Sequence, residues 1–98
     1  MTNNLTFGKK LRALRILRGF TQVQLAKKVG IPQFRISDLE VDRNLPTPEL
    51  TRDIELALDR PGWLTDPDIH TVISVLTNDH ATVSTVTKAL AILEAPNE

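Results

Sequence analysis

The chain has 98 residues, twelve of them basic and twelve acidic, and 41% of it is hydrophobic. That size suits one small domain with at most a short appendage, and the composition excludes a disordered chain. The lack of cysteine excludes disulfides, thiolate zinc sites and cysteine nucleophiles. No apolar run approaches the ~20 residues that span a bilayer. Met1-Thr2-Asn3-Asn4-Leu5 lacks the charged-then-apolar build of a signal peptide. A cytoplasmic protein with no membrane contact is expected.

The zero net charge hides a division. Residues 1–45 hold nine basic side chains (Lys9, Lys10, Arg12, Arg15, Arg18, Lys27, Lys28, Arg35, Arg43) against Asp38, Glu40 and Asp42, a balance of +6. Residues 46–98 hold Arg52, Arg60 and Lys88 against nine acids, a balance of −6. One half therefore suits a polyanion and the other does something else. Chance clustering on solvated helix faces is the plain alternative.

Phe7, Leu11, Leu14 and Leu17 or Arg18 recur at helical spacing, and Gly19 ends that helix. Thr21-Gln22-Val23-Gln24 has the form of a capping box, with Leu25, Ala26 and Val29 as a buried stripe and Gly30 as the stop. Pro32 opens a third helix, turned inward by Ile36 and Leu39 with Ile31 ahead of them. Thr47 caps a fourth, with Pro48 in its first position, Glu49 and Asp53 at the positive end of the dipole, and Leu50, Ile54, Ala57 and Leu58 facing the core. Arg60-Pro61-Gly62 breaks it, and Trp63 and Leu64 close the bottom of the core.

The last third starts again at Thr65-Asp66-Pro67-Asp68, with Ile69, Val72, Ile73 and Leu76 at helical spacing. After Thr77-Asn78-Asp79, the residues Val83, Val86, Leu90 and Leu93 are spaced like a coiled-coil seam. Two helices are expected here. The β-branched runs Thr71-Val72-Ile73 and Thr82 to Thr87 leave a hairpin as the competing reading, but Lys88 to Glu94 has little strand character.

Two short helices joined by a glycine turn, Gln22–Val29 and Gln33–Leu39, are what one mode of major-groove binding requires. With Ile36 and Leu39 buried, Gln33, Phe34, Arg35, Ser37 and Asp38 remain outward. The run Thr21-Gln22-x-x-Leu25-Ala26-x-x-Val29-Gly30-Ile31, then Ile36-Ser37-x-Leu39-Glu40 and Pro46, resembles the Xre/Cro/lambda-repressor family of helix-turn-helix regulators over residues 6 to 64. The resemblance implies an all-α, five-helix DNA-binding domain at 1–64, bound to operator DNA as a dimer; no cofactor and no metal are expected. It implies that Gln22 contacts a phosphate and that Gln33 reads a base, adenine being the favoured partner of its amide. Arg43 and Asn44 match the loop that clasps the DNA backbone. Arg15 and Glu40 match an ion pair joining the first helix to the third, the alternative for Arg15 being an exposed phosphate contact.

The chain departs from that pattern in three places. Pro32 replaces the usual Ser or Thr cap, and Val41-Asp42 stands where Asn-Gly is common. Asp38 puts a negative charge on the reading face, either to accept from a cytosine amine or to pair with Arg35 or a neighbour. Phe34 either contacts thymine methyl groups or packs against a partner subunit or the core.

An enzyme finds little support, for there is no Gly-rich phosphate loop or nucleophile elbow, and His70 and His80 are not at a metal-ligand spacing. A second reading helix at Asp79–Glu94 has Lys88 as its sole cation, too few for a phosphate surface. Residues 65–98 are better explained as a dimerisation extension through Ile69, Val72, Ile73, Leu76, Val83, Val86, Leu90 and Leu93, since a dimer doubles the contacts one domain makes. The expected function is a dimeric repressor on a palindromic operator. The alternative is an antitoxin-type protein that autoregulates its operon and holds a toxin or other protein with its C-terminal third.

Overall fold

A computed structural model describes residues 6–64 and 83–94. The described residues form five helices and no strand: α1 (Phe7–Leu17), α2 (Gln22–Val29), α3 (Gln33–Glu40), α4 (Pro48–Ala57) and α5 (Val83–Glu94). Four of the five lie within 6–64, where the resemblance implied a five-helix domain, and residues 58–64 there form turns and a short connection. Residues 83–87 are helical, which removes the hairpin reading for that run. Ile69, Val72, Ile73 and Leu76 lie outside the described residues.

The local signals explain where the helices start. The Thr6 hydroxyl accepts from the Lys9 amide at 3.2 Å and the Thr47 hydroxyl from the Leu50 amide at 3.0 Å. Each satisfies an amide that the first turn leaves without a helical partner. At Thr21 the capping box is complete, with Thr21 Oγ1 accepting from the Gln24 amide at 3.1 Å and Gln24 Oε1 accepting from the Thr21 amide at 2.9 Å. Pro32 caps α3 with φ −66° and no side-chain hydrogen bond.

Every described helix contributes to one core. Leu11 and Leu14 of α1, Leu25 of α2, Ile36 and Leu39 of α3 and Ile54 of α4 are all but fully buried. Each such side chain stabilises the fold by about 1.5–3 kcal/mol relative to exposure. Leu58, Trp63 and Leu64 seal the same core from the turns after α4. The Trp63 indole also donates to the Lys10 carbonyl at 3.0 Å, and the buried Glu55 carboxylate accepts from the Leu64 amide at 2.9 Å. Polar atoms carried into the interior by this segment are thereby satisfied.

Among the described helix pairs, α1 and α5 are the most extensively packed. Ala89 is fully buried in the core, and Val86, Leu90 and Ile92 pack against it, half-buried. Val83 stands outside, 83% exposed. Two members of the expected C-terminal seam, Val86 and Leu90, therefore meet the core of their own chain, and with Ala89 and Ile92 they join α5 to the interior of 6–64.

The start of α1 and the end of α3 are joined at very short range. A Cβ built on Gly8 would lie 2.4 Å from the Glu40 carbonyl oxygen and 2.6 Å from that of Leu39. Only a residue without a side chain permits this approach. Asp42, held at φ 60°, accepts from the Gly8 amide at 2.9 Å through Oδ1. An aspartate in the left-handed region is tolerated at modest cost because its short carboxylate bonds locally.

Candidate nucleic-acid interface

α2 and α3 are connected by Gly30, Ile31 and Pro32, and Gly30 adopts φ 90°, which ends α2 and turns the chain toward α3 within three residues. Ile36 and Leu39 anchor α3 from below. The opposite side of its first turn is open: Gln33 and Arg35 are exposed, and Phe34 is 62% exposed. Phe34 thus stands away from the core of its own chain. Ser37 and Asp38 are half-buried at the flank of the same helix.

Beneath the exposed turn runs a polar chain that ties three helices together. Arg15 of α1 grips Glu40 of α3 with two parallel bonds, Nε to Oε2 and NH2 to Oε1, the second at 3.1 Å. Its remaining nitrogen donates to the Phe20 carbonyl at 2.9 Å. The side chains of Arg15 and Glu40 are 11% and 2% exposed, so Arg15 serves inside the protein rather than at its surface. Gln22, the first residue of α2, donates through Nε2 to Glu40 Oε1 at 3.0 Å. Gln33, the first residue of α3, donates through Nε2 to Gln22 Oε1, also at 3.0 Å. The N-termini of α2 and α3 are therefore held side by side, and both present the positive end of a helix dipole at this edge.

The loop after α3 is organised by Asp38. Its Oδ1 accepts from Arg43 NH1 at 3.0 Å and its Oδ2 from Asn44 Nδ2 at 3.3 Å. Of the two sequence readings of Asp38, the structure supplies the pairing one, with Arg43 and Asn44 as the neighbours. Arg43 remains 71% exposed while Asp38 is 19% exposed, so the carboxylate orients the guanidinium without covering it. Lys27 and Lys28 are exposed on α2, and Lys28 Nζ sits 5.1 Å from the centre of the Phe20 ring. That distance is within reach of a cation–π contact.

The structure thus gathers Gln22, Gln33, Phe34 and Arg35 at one edge and Arg43 and Asn44 around Asp38, with Arg15 and Glu40 beneath Gln22. Val86 and Leu90 face the chain's own core, and Leu93 has no described side chain. Sequence reasoning missed Gly8 and the acceptor role of Asp42. The positive φ of Asp42, though not its acceptor role, had a signal: a position where the resembling family commonly carries Gly is one where φ is positive. Among the described residues no group of His, Asp and Glu is arranged to hold a metal ion, and no helix is long and apolar enough to cross a membrane.

Compared with protein-family models, residues 11–63, more than half of the chain, match the one described as helix-turn-helix. Compared with curated proteins and with solved structures, the chain shows no significant match.

Proposed function

Because this chain belongs to the Cro/C1-type helix-turn-helix family and is therefore a DNA-binding transcriptional regulator, we propose that it is a cytoplasmic, dimeric repressor that reads a palindromic operator with α3. The observation that carries this reading is the exposed first turn of α3, where Gln33, Phe34 and Arg35 stand clear of a core that holds the helix rigidly. In this arrangement α3 enters the major groove and Gln33 offers its amide to an adenine edge, while Arg35 reaches a phosphate or a guanine edge. Phe34 contacts thymine methyl groups. The positive end of α2 and the Arg43–Asn44 loop hold the backbone on either side, which fixes register without reading sequence. Dimerisation falls to the last third, whose acidic composition disfavours contact with DNA and whose Val83 is outward. Two domains on one two-fold axis supply the contacts that a single eight-residue helix lacks. Occupying a promoter is enough for a protein of this size to repress.

Selection from a randomised duplex library tests the reading. Enrichment of a two-fold symmetric site is expected, and Gln33→Ala is expected to relax one or two positions per half-site by about 1–3 kcal/mol. Enrichment of asymmetric sites would count against the dimer, and a uniform loss in Gln33→Ala against base reading.

Arg43→Ala is expected to weaken binding to every duplex alike. The slope of log K against log salt should flatten by about 0.9, one phosphate's worth of released counterion. An unchanged slope in a salt titration would remove Arg43 from the phosphate-clasping role.

A further inference from the structure

We propose that Glu40, which is buried and out of reach of any base, determines which atoms Gln33 presents to DNA. The inference rests on the reading that Gln33 contacts a base edge, and it assigns a positioning role to a residue that the ion pair alone would leave purely structural.

A glutamine side chain carries an acceptor at one corner and a two-proton donor at the other, and the two are nearly equal in shape. Left to itself, an exposed Gln33 samples both faces of that amide. A carboxylate, in contrast, only accepts. The Glu40 carboxylate is fixed by two bonds from Arg15 and is 2% exposed, so it cannot turn away. Whatever group of Gln22 touches it must donate, and Gln22 places Nε2 there at 3.0 Å. That choice leaves Gln22 Oε1 facing the other way, and an oxygen requires a donor. Gln33 supplies it through Nε2 at 3.0 Å. The orientation set at Glu40 is thereby passed through Gln22 to Gln33, whose Oε1 and second Nε2 proton remain for a ligand.

Adenine offers N7 as an acceptor and the N6 amine as a donor in a fixed order along its major-groove edge. An amide held one way round matches that order at a given position, and the same amide turned over opposes donor to donor and acceptor to acceptor. Fixing the amide before binding also removes the cost of ordering it on the DNA. The identity of one base pair per half-site therefore depends on a side chain one protein layer below the groove.

The experiment uses the full chain, its Glu40→Gln variant and its Gln22→Leu variant. An amide in place of the Glu40 carboxylate can donate as well as accept, so the direction of Gln22 is no longer dictated. Gln22→Leu removes the middle of the relay and leaves the Arg15–Glu40 pair in place, so it decides the matter if Glu40→Gln fails to fold. With the same randomised duplex library, each folded variant is expected to lose about 5- to 150-fold in discrimination at the position that Gln33 reads. Preferences at the other positions are expected to hold in both variants, and in Glu40→Gln so is the affinity for non-specific duplex. Gln22→Leu, which also loses a phosphate contact, is expected to bind every duplex somewhat more weakly besides. In the free protein, water exchange at the Gln33 side-chain amide, followed by nitrogen-15 NMR, is expected to accelerate in both variants. Folded variants that keep the parent's preference at every position, whatever their overall affinity, overturn the proposal. So does unchanged exchange at Gln33. If the parent chain enriches no sequence at all, base reading by Gln33 falls, while the exchange measurement still decides whether Glu40 governs that amide.

Discussion

Arg15→Met is expected to destabilise the protein by about 3–5 kcal/mol, because it strands a carboxylate in the interior. Glu40 is 2% exposed and would keep only the Gln22 amide as a donor. Against a total of roughly 5–15 kcal/mol for a domain, such a loss brings the variant close to unfolding. The intact pair nonetheless contributes little, since both ions were desolvated to form it. The double variant Arg15→Met/Glu40→Leu is therefore expected to recover most of the lost stability. Urea unfolding of the parent, the single and the double variant measures both numbers. A single variant that loses under about 1 kcal/mol would mean the pair behaves like a solvated surface bridge.

The second large effect is expected at Gly8. In an open helix, Gly→Ala gains up to about 1 kcal/mol in propensity. Here the added carbon meets two backbone oxygens, at 2.4 and 2.6 Å, which cannot rotate aside as a side chain would. The start of α1 must lift from the end of α3, and the 2.9 Å bond from the Gly8 amide to Asp42 stretches or breaks. We expect Gly8→Ala to lose about 1–3 kcal/mol or more, a fall in Tm of roughly 5–20 °C for a domain of this size. The sign is diagnostic: a raised Tm in a thermal melt would show that the two helices have room to spare.

What the sequence discloses about this fold is mostly what is decided within four residues. Thr21 with Gln24, Thr47 with Pro48, and the stops at Gly19 and Gly30 involve atoms a single turn apart, and all are found where the pattern puts them. The apolar spacing also locates the core positions, from Leu11 to Leu64. Contacts between distant segments were much less legible. Nothing within a turn of Gly8 accounts for a glycine there, and only the carbonyls of residues 39 and 40 explain it. Asp38 had several partners open to it, and the choice of Arg43 and Asn44 depends on how the loop after α3 turns. The 3-4-3 spacing of Val83, Val86, Leu90 and Leu93 announces an apolar face without saying what covers it. In the folded chain, α1 takes up much of that role.

The packing of α5 on α1 has a consequence for the order in which the protein is made. α1 is the first described helix to be synthesised and α5 the last, with more than sixty residues between Leu17 and Val83. Chains emerge at about 5–20 residues per second, whereas neighbouring helices associate in far less time. α1 to α4 can therefore meet while the flank of α1 that receives Ala89 is still bare. That flank stays open to water, or to a chaperone, until residues 83–94 arrive and close it. The helix that carries Arg15, and through it the seat of α3, is the one whose burial is completed last.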